Sequence, residues 1–232
     1  MIELKLISDF PQTIIATDEV GRGPLSGPVV AGAICLDINS KEELKALLKA
    51  LKKVGIQDSK KLSSSKRLEV LKKLGVSDLP FREIGVVNIQ GVEILFVTWE
   101  MDHKVIDQEN ILSASLRAMR EASEALSFKK NNPTTVLIDG NKKFRWGIKE
   151  SPWNEIPIIK GDLKSLLIGL SSIIAKEKRD NFMNEMHKLY PHYGFNTHAG
   201  YPTKEHRKAI ELHGPSPIHR QTFKGVKEFI RS

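Results

Sequence analysis

Short apolar, β-branched runs alternate with segments of helical spacing along most of this chain, and that alternation constrains its fold more than any other feature. Thr13–Thr17 is β-branched and reads as a strand. It ends at Asp18-Glu19, and the glycine-rich stretch Gly21–Gly27 follows. Val29–Leu36 reads as a second, mostly buried strand, and Arg82–Ile89, Thr134–Ile138 and Ile156–Ile159 as three more. Lys41–Lys53 and Ser64–Leu74 carry helical spacing with many surface lysines. Gln108–Leu126 is expected to be one amphipathic helix, with Ile111, Leu112, Leu116, Met119, Ala122 and Leu126 close to one face. Lys160-Gly161-Asp162 leads into a long helix surrounded by apolar residues from Leu163 to Ile174, so its first half is expected to be deeply buried. This order of elements predicts an α/β fold with a mixed five-stranded sheet flanked by helices.

The chain has 232 residues, enough for one substantial domain and a small appendage. From Lys176 onward the character changes: 11 of the 36 Lys and Arg lie there against 6 of the 28 Asp and Glu, with six of the seven His. The expected organisation is a catalytic core over residues 1–185 and a basic C-terminal helical subdomain over 186–232. The net charge of +8 favours a polyanionic partner such as nucleic acid. Cys35 is the single cysteine and lies in an apolar run, as expected of a buried thiol in a reducing compartment. The N-terminus has no secretory character, and no apolar stretch is long enough to span a bilayer. A cytoplasmic protein is expected.

Four acids stand where chemistry needs them. Asp18 and Glu19 end the first strand, Asp139 ends a later one, and Asp162 opens the buried helix. Strand ends in an open α/β sheet are where ligand crevices form. Carboxylates gathered there resist ionising unless a positive charge sits between them, and a hard divalent cation supplies it. Two such ions activate a water and stabilise the leaving oxygen of a phosphodiester. Taken singly, an Asp at a strand end or helix start is an ordinary turn former or N-cap, and spacing alone does not prove that the four converge. Gly21-Arg22-Gly23-Pro24-Leu25-Ser26-Gly27-Pro28 is too rich in Gly and Pro for a tight hairpin. It reads either as a wide connection or as backbone that approaches a ligand closely.

These residues and those that follow resemble a known family. The run from Asp18 to Ala31 is similar to the signature of the type 2 ribonucleases H (ribonuclease HII). Asp58-Ser59-Lys60-Lys61-Leu62, Asn110-Ile111-Leu112, Asp139-Gly140, Lys160-Gly161-Asp162 with Lys164-Ser165, and Ser172–Lys176 resemble its later blocks in order. Tyr190–Phe195, Gly200–Thr203 with His206, Gly214-Pro215-Ser216 and His219-Arg220 resemble its C-terminal block. The resemblance implies a ribonuclease H-like sheet with a C-terminal helical extension. It implies an endonuclease that uses Mg²⁺ or Mn²⁺ to cut RNA in RNA–DNA hybrids and to cut 5′ of single ribonucleotides embedded in duplex DNA, in replication and repair. Carried over, Asp18, Glu19, Asp139 and Asp162 are the metal-binding catalytic set, with Asp18 shared by both ions. Gly21, Arg22 and Gly23 read the 2′-hydroxyl through backbone groups, and Tyr201 stacks on the following deoxyribose. The 2′-OH is what separates RNA from DNA. Lys60, Lys61, Lys160 and Ser165 complete the expected substrate-binding set.

The chain departs from many relatives at Ala199, where they carry Lys, and Pro202 stiffens the segment after Tyr201. Two alternatives stay open. A type 3 ribonuclease H typically has Gly-Lys-Gly at positions 21–23 and Glu at 162, and a non-catalytic duplex-binding protein would keep the fold without needing all four acids. Lys164, Lys176 and Arg179 flank the acidic centre as candidate phosphate contacts, whereas Lys52-Lys53 and Lys72-Lys73 read as solvated helix faces. The histidines lack the spacing of a ligand motif, and the three tryptophans read as packing. A C-terminal peptide that docks on a sliding clamp occurs in some relatives, but Lys224–Ser232 is too ambiguous to assign. A monomer is expected.

Overall fold

In the computed structural model, which describes residues 1–56, 62–127, 132–145, 147 and 150–230, six strands form one mixed sheet. They are β1 (Gln12–Val20), β2 (Val29–Ile38), β3 (Gly85–Ile89), β4 (Val92–Met101), β5 (Thr134–Asp139) and β6 (Asn154–Ile158), in spatial order β3-β4-β2-β1-β5-β6. The pairs β1–β2, β2–β4 and β3–β4 are antiparallel, and β5 runs parallel to β1 and to β6. The sheet therefore has one strand more than the five expected. The missed strand is β4, which returns from β3 through Gln90 and Gly91, both at positive φ as a tight hairpin requires. Its burial alternates from Val92 to Phe96, but Leu95 is apolar on the less buried face and Val97 and Thr98 are both buried, so the sequence shows no clean period of two. Pro157 lies in β6, an edge strand, where a missing N–H is tolerated.

The helices are α1 (Glu3–Leu6), α2 (Lys41–Lys53), α3 (Ser64–Leu74), α4 (His103–Glu109), α5 (Ile111–Leu126), α6 (Gly161–Lys164), α7 (Leu166–Leu189), α8 (Phe195–His198) and α9 (Lys204–His213). The α2 and α3 spans match expectation because local signals mark their ends. Ser40 and Ser63 accept the N–H of Glu43 and Lys66, and Gly75 closes α3 at φ 75. Two expected helices are interrupted. Asn110, at φ 73, ends α4 and caps α5 by accepting the Ser113 N–H, so Gln108–Leu126 is not one helix. The long helix starts at Leu166, not at Asp162: Ser165 is extended and caps α7 by accepting the Ile168 N–H. Asp162 belongs to the short α6, and Leu163, expected in the core, is 44% exposed.

Strand alternation sends side chains to two cores. Ile14, Ala16, Ile34, Leu36, Ile94, Phe96 and Leu137 pack with α2, α3 and α7 on one face. Ile15, Ala31, Ala33, Cys35, Val97, Val136 and Ile138 pack with α5 on the other. Burying each of the Ile, Leu, Val and Phe side chains among them stabilises the fold by roughly 1.5–3 kcal/mol. Trp99 and Trp153 pack against the second core, as the packing reading has it, while Trp146 lies outside the described residues. A third cluster joins Leu25 of the glycine segment to Met183, Tyr193, Phe195, Ile210 and Val226. No helix among the described residues is long and apolar enough to cross a membrane.

Candidate active site

Thr17 of β1 pairs with Ile138 of β5, so the next residue on each strand, Asp18 and Asp139, stands beside the other at the strands' carboxyl ends. Alternation puts Asp18 on the face of Ile14 and Ala16, which α7 covers. Its partner on β2 is Gly32. A Cβ there would collide with the Ser171 carbonyl, so glycine is what lets α7 lie directly on the sheet. That approach brings Ser172 and Lys176 of α7 into a cleft of about 340 Å³ lined also by Asp18, Glu19, Gly21, Arg22, Gly23, Asp139 and Tyr201.

Ligand oxygens of Asp18, Glu19 and Asp139 all lie within 4.8 Å of one another. Asp18 is 4% exposed and accepts the Glu19 N–H at 2.8 Å. Burial above all, then the charges of Glu19 and Asp139, hold its carboxyl well above the usual range, while a hydrogen bond from Ser172 opposes the shift. Burial likewise lifts Glu19 to about 7, with Asp139 adding and the Arg22 guanidinium, 3.3 Å away, opposing. Three acids that resist ionising together form an all-oxygen donor set fitted to a hard divalent cation. Asp139 spends one oxygen locally: Oδ1 accepts the N–H of Gly161 at 2.6 Å and of Asp162 at 3.3 Å. Asp162 is 1% exposed and falls outside the three-acid cluster, lining a separate pocket with Lys52, Lys164 and Ser165. Its charge still reaches Asp18, whose carboxyl it helps to raise.

The glycine segment is held from below by two buried arginines. Arg220 donates to the carbonyls of Gly21 at 2.6 Å, Pro24 at 2.8 Å, Gly27 at 3.0 Å and Arg22 at 3.1 Å. Arg179 donates to those of Ala199 at 2.9 Å, Pro28 at 3.0 Å and Ser26 at 3.1 Å. Burial lowers their pKa values to about 9 and about 10, which leaves both charged at neutral pH. Arg179, read from sequence as a phosphate contact, is instead 1% exposed and braces the loop. Gly21 has φ 91, and a Cβ there would strike Arg179. Gly23 needs no positive φ, and a Cβ there would meet only the Tyr201 ring at 3.5 Å, an ordinary contact.

Tyr201 is 43% exposed and faces the cleft from the segment after α8. Lys160 is exposed at φ 56 beside Gly161, and Lys176 lines the cleft. Ser165 is buried outside the cleft, its hydroxyl donating to Glu3 at 2.9 Å. Lys60 and Lys61 lie outside the described residues. Ser172, Lys176 and Arg179 follow one another on α7 at spacings of four and three, which puts them on one face of the helix. A second cleft of about 290 Å³, lined by Leu68, Leu71, Phe96 and Ile174, holds Glu177, which is tied to Arg67 at 3.0 Å.

The sequence matches a family model described as Ribonuclease HII over residues 15–226. It is 42% identical over 217 residues to a protein named Ribonuclease HII from Desulfotalea psychrophila, covering 94% of this chain and 83% of that protein. The fold is similar to that of ribonuclease H2 from Pyrococcus horikoshii OT3, with a TM-score of 0.64 at 20% identity, covering 94% of this chain and 96% of that one. It is also similar to Bst-RNase HIII in complex with Mn²⁺, with a TM-score of 0.60 at 14% identity, covering 94% and 69%.

Proposed function

The chain belongs to the ribonuclease HII family of endoribonucleases, and from that premise we propose that it hydrolyses the phosphodiester 5′ to a ribonucleotide, in RNA–DNA hybrids and at single ribonucleotides within duplex DNA. The products are a 3′-hydroxyl and a 5′-phosphate. The observation that carries this reading is one cleft holding the three clustered acids, the glycine segment and an exposed aromatic ring.

Asp18, Glu19 and Asp139, with Asp162 beside them, would hold Mg²⁺ or Mn²⁺. Bound there, divalent cations lower the pKa of a water and stabilise the leaving 3′-oxygen. Ser172 holds the Asp18 carboxylate by a hydrogen bond. Gly21, Arg22 and Gly23 present backbone to the 2′-hydroxyl, and the braces from Arg220 and Arg179 keep that backbone in place before substrate arrives. The Tyr201 ring packs where an extra hydroxyl on the next sugar would clash, and so demands DNA there. Lys160, Lys164 and Lys176 contact phosphates without reading sequence. The division at residue 185, with the C-terminal subdomain carrying Tyr201 to the core, completes the reading, as does a monomer acting in the cytoplasm in replication and repair. The third apolar cluster packs Leu25 and Met183 of the core against Tyr193, Phe195, Ile210 and Val226 of that subdomain.

The test is a labelled DNA duplex with one ribonucleotide, incubated with and without Mg²⁺ and mapped to one nucleotide. Metal-dependent cleavage that leaves the ribonucleotide at the 5′ end of its fragment is expected. Cleavage on its 3′ side, or none on any ribonucleotide-containing duplex, would overturn the reading.

A further inference from the structure

Six of the seven histidines lie in the last third of the chain, and two of them are among its most deeply buried polar residues: His206 is 0% and His219 1% exposed. Their rings are tilted by 44° to one another, with Nε2 to Nε2 at 3.0 Å. One of those nitrogens must donate and the other accept, and the outer contacts determine which. The backbone N–H of Ser216 points at His219 Nδ1 from 2.8 Å, so that nitrogen is an acceptor. A neutral His219 then carries its proton on Nε2 and donates it to His206 Nε2. His206 in turn carries its proton on Nδ1, which lies 2.9 Å from the carbonyl oxygen of Tyr201. The reverse arrangement would keep the inner bond but set two N–H groups against each other at Ser216 and two acceptors against each other at the Tyr201 carbonyl. The result is a one-way chain of hydrogen bonds from Ser216 through His219 and His206 to Tyr201.

The surroundings suit neutral rings. Phe195 stands edge-on to His206 at 5.5 Å, and Tyr193 packs on His219 at 5.0 Å. Burial pushes the two pKa values down to about 4 and about 3. The hydrogen-bond chain ends on a segment held by further backbone bonds. Gly200 donates to His198 Nδ1, the Tyr201 N–H donates to the His198 carbonyl, and Thr203 donates to the Tyr201 carbonyl. The bonds made by Tyr201 itself are all to its backbone, and the ring is left exposed in the cleft.

We propose that His206 and His219 are positioning residues, a tautomer-locked strut that fixes the Tyr201 backbone and thereby sets how sharply the enzyme favours a ribonucleotide followed by DNA. The proposal rests on the reading of Tyr201 given above.

Two measurements on the full chain test it. With ¹⁵N-labelled histidine at neutral pH, NMR is expected to show the proton of His219 on Nε2, that of His206 on Nδ1, and a scalar coupling across the Nε2–H···Nε2 bond. Opposite tautomers, or no coupling, would overturn the strut. Single-turnover rates are then compared on a DNA duplex with one ribonucleotide and on a continuous RNA–DNA hybrid. His206→Phe is expected to lower the ratio of the two rates by about threefold to tenfold, the worth of one hydrogen bond. His206→Asn, whose amide N–H reaches the place of Nδ1, is expected to restore most of it. A folded His206→Phe protein with the wild-type ratio overturns the proposal. If that variant does not fold, His219→Asn replaces it; it keeps the Ser216 contact but no longer reaches His206, and an unchanged ratio is again the negative result. Tyr201→Ala separates the two ideas. If it leaves the ratio unchanged, the reading of Tyr201 falls and the strut falls with it; if it lowers the ratio while His206→Phe does not, the strut alone falls.

Discussion

Arg220 reaches 199 residues back along the chain to donate from Nη2 to the carbonyl of Gly21 at 2.6 Å. Three more carbonyls of the same loop share its guanidinium, and all of it is buried. Arg220→Met would leave four acceptors short of a donor, each costing about 1–3 kcal/mol when buried. The expected loss is at least about 4 kcal/mol, read from the urea midpoint, with a fall of more than tenfold in cleavage. An unchanged midpoint would mean that the loop does not depend on this brace.

The glycines of that loop are not equivalent. Gly21 combines φ 91 with a steric conflict at Arg179, whereas at Gly23 a methyl group meets only the edge of Tyr201 at contact distance. Gly21→Ala is expected to destabilise the protein by about 1–3 kcal/mol and to abolish detectable cleavage. Gly23→Ala is expected to keep wild-type stability and to raise KM for ribonucleotide-containing duplex. Equal melting temperatures for the two variants would count against this assignment.

Much of this was legible in the sequence, for identifiable reasons. Asp18 and Asp139 stand out because each ends an apolar run and is followed at once or within three residues by a glycine, and α2 and α3 announce themselves through Ser and Gly at their ends. The strand β4 was hidden because burial on both faces erases alternation at Val97 and Thr98. The break at Ser165 was hidden because its partner is Glu3, 162 residues away, whose carboxylate also accepts the N–H of Leu166. The roles of Arg179 and Arg220 were illegible in kind: they bind backbone carbonyls, which leave no complementary side-chain pattern to find. Which glycine needs positive φ is likewise a property of the folded loop.

Asp18→Asn is expected to abolish metal-dependent cleavage while raising the melting temperature of the metal-free protein. The substitution keeps an oxygen to accept the Glu19 N–H and removes a buried charge that Glu19 and Asp139 oppose. Scanning calorimetry in EDTA and a cleavage assay in Mg²⁺ check the two halves. A lower melting temperature would show that the three acids do not repel one another as their spacing implies.

Glu19 gives the metal-free protein a pH dependence of definite sign. Its folded pKa of about 7 lies above the ordinary 4.5, so between those values the native state binds more protons than the unfolded chain. Stability therefore falls as pH rises through that window and levels off above it, by on the order of 3 kcal/mol from this group. Saturating Mg²⁺ is expected to remove most of the fall, because the ion supplies the charge that burial denies. Urea midpoints in EDTA that stay flat from pH 4.5 to 7 would contradict the shift.

Lys176 is the cation in the described cleft whose place is tied to the acidic cluster by the helix itself, four residues after Ser172 on the same face of α7. If it meets a phosphate of the bound duplex, binding releases one condensed counterion there. Lys176→Ala would then weaken duplex binding and reduce the slope of log K against log salt by about 0.9. Because a phosphate contact carries no sequence or sugar information, the ratio of rates on the single-ribonucleotide duplex and the continuous hybrid is expected to stay at its wild-type value. Fluorescence anisotropy across a salt series in Ca²⁺, with single-turnover rates in Mg²⁺, measures both. An unchanged salt slope would place Lys176 on the protein side of the cleft, supporting the carboxylates and not the substrate.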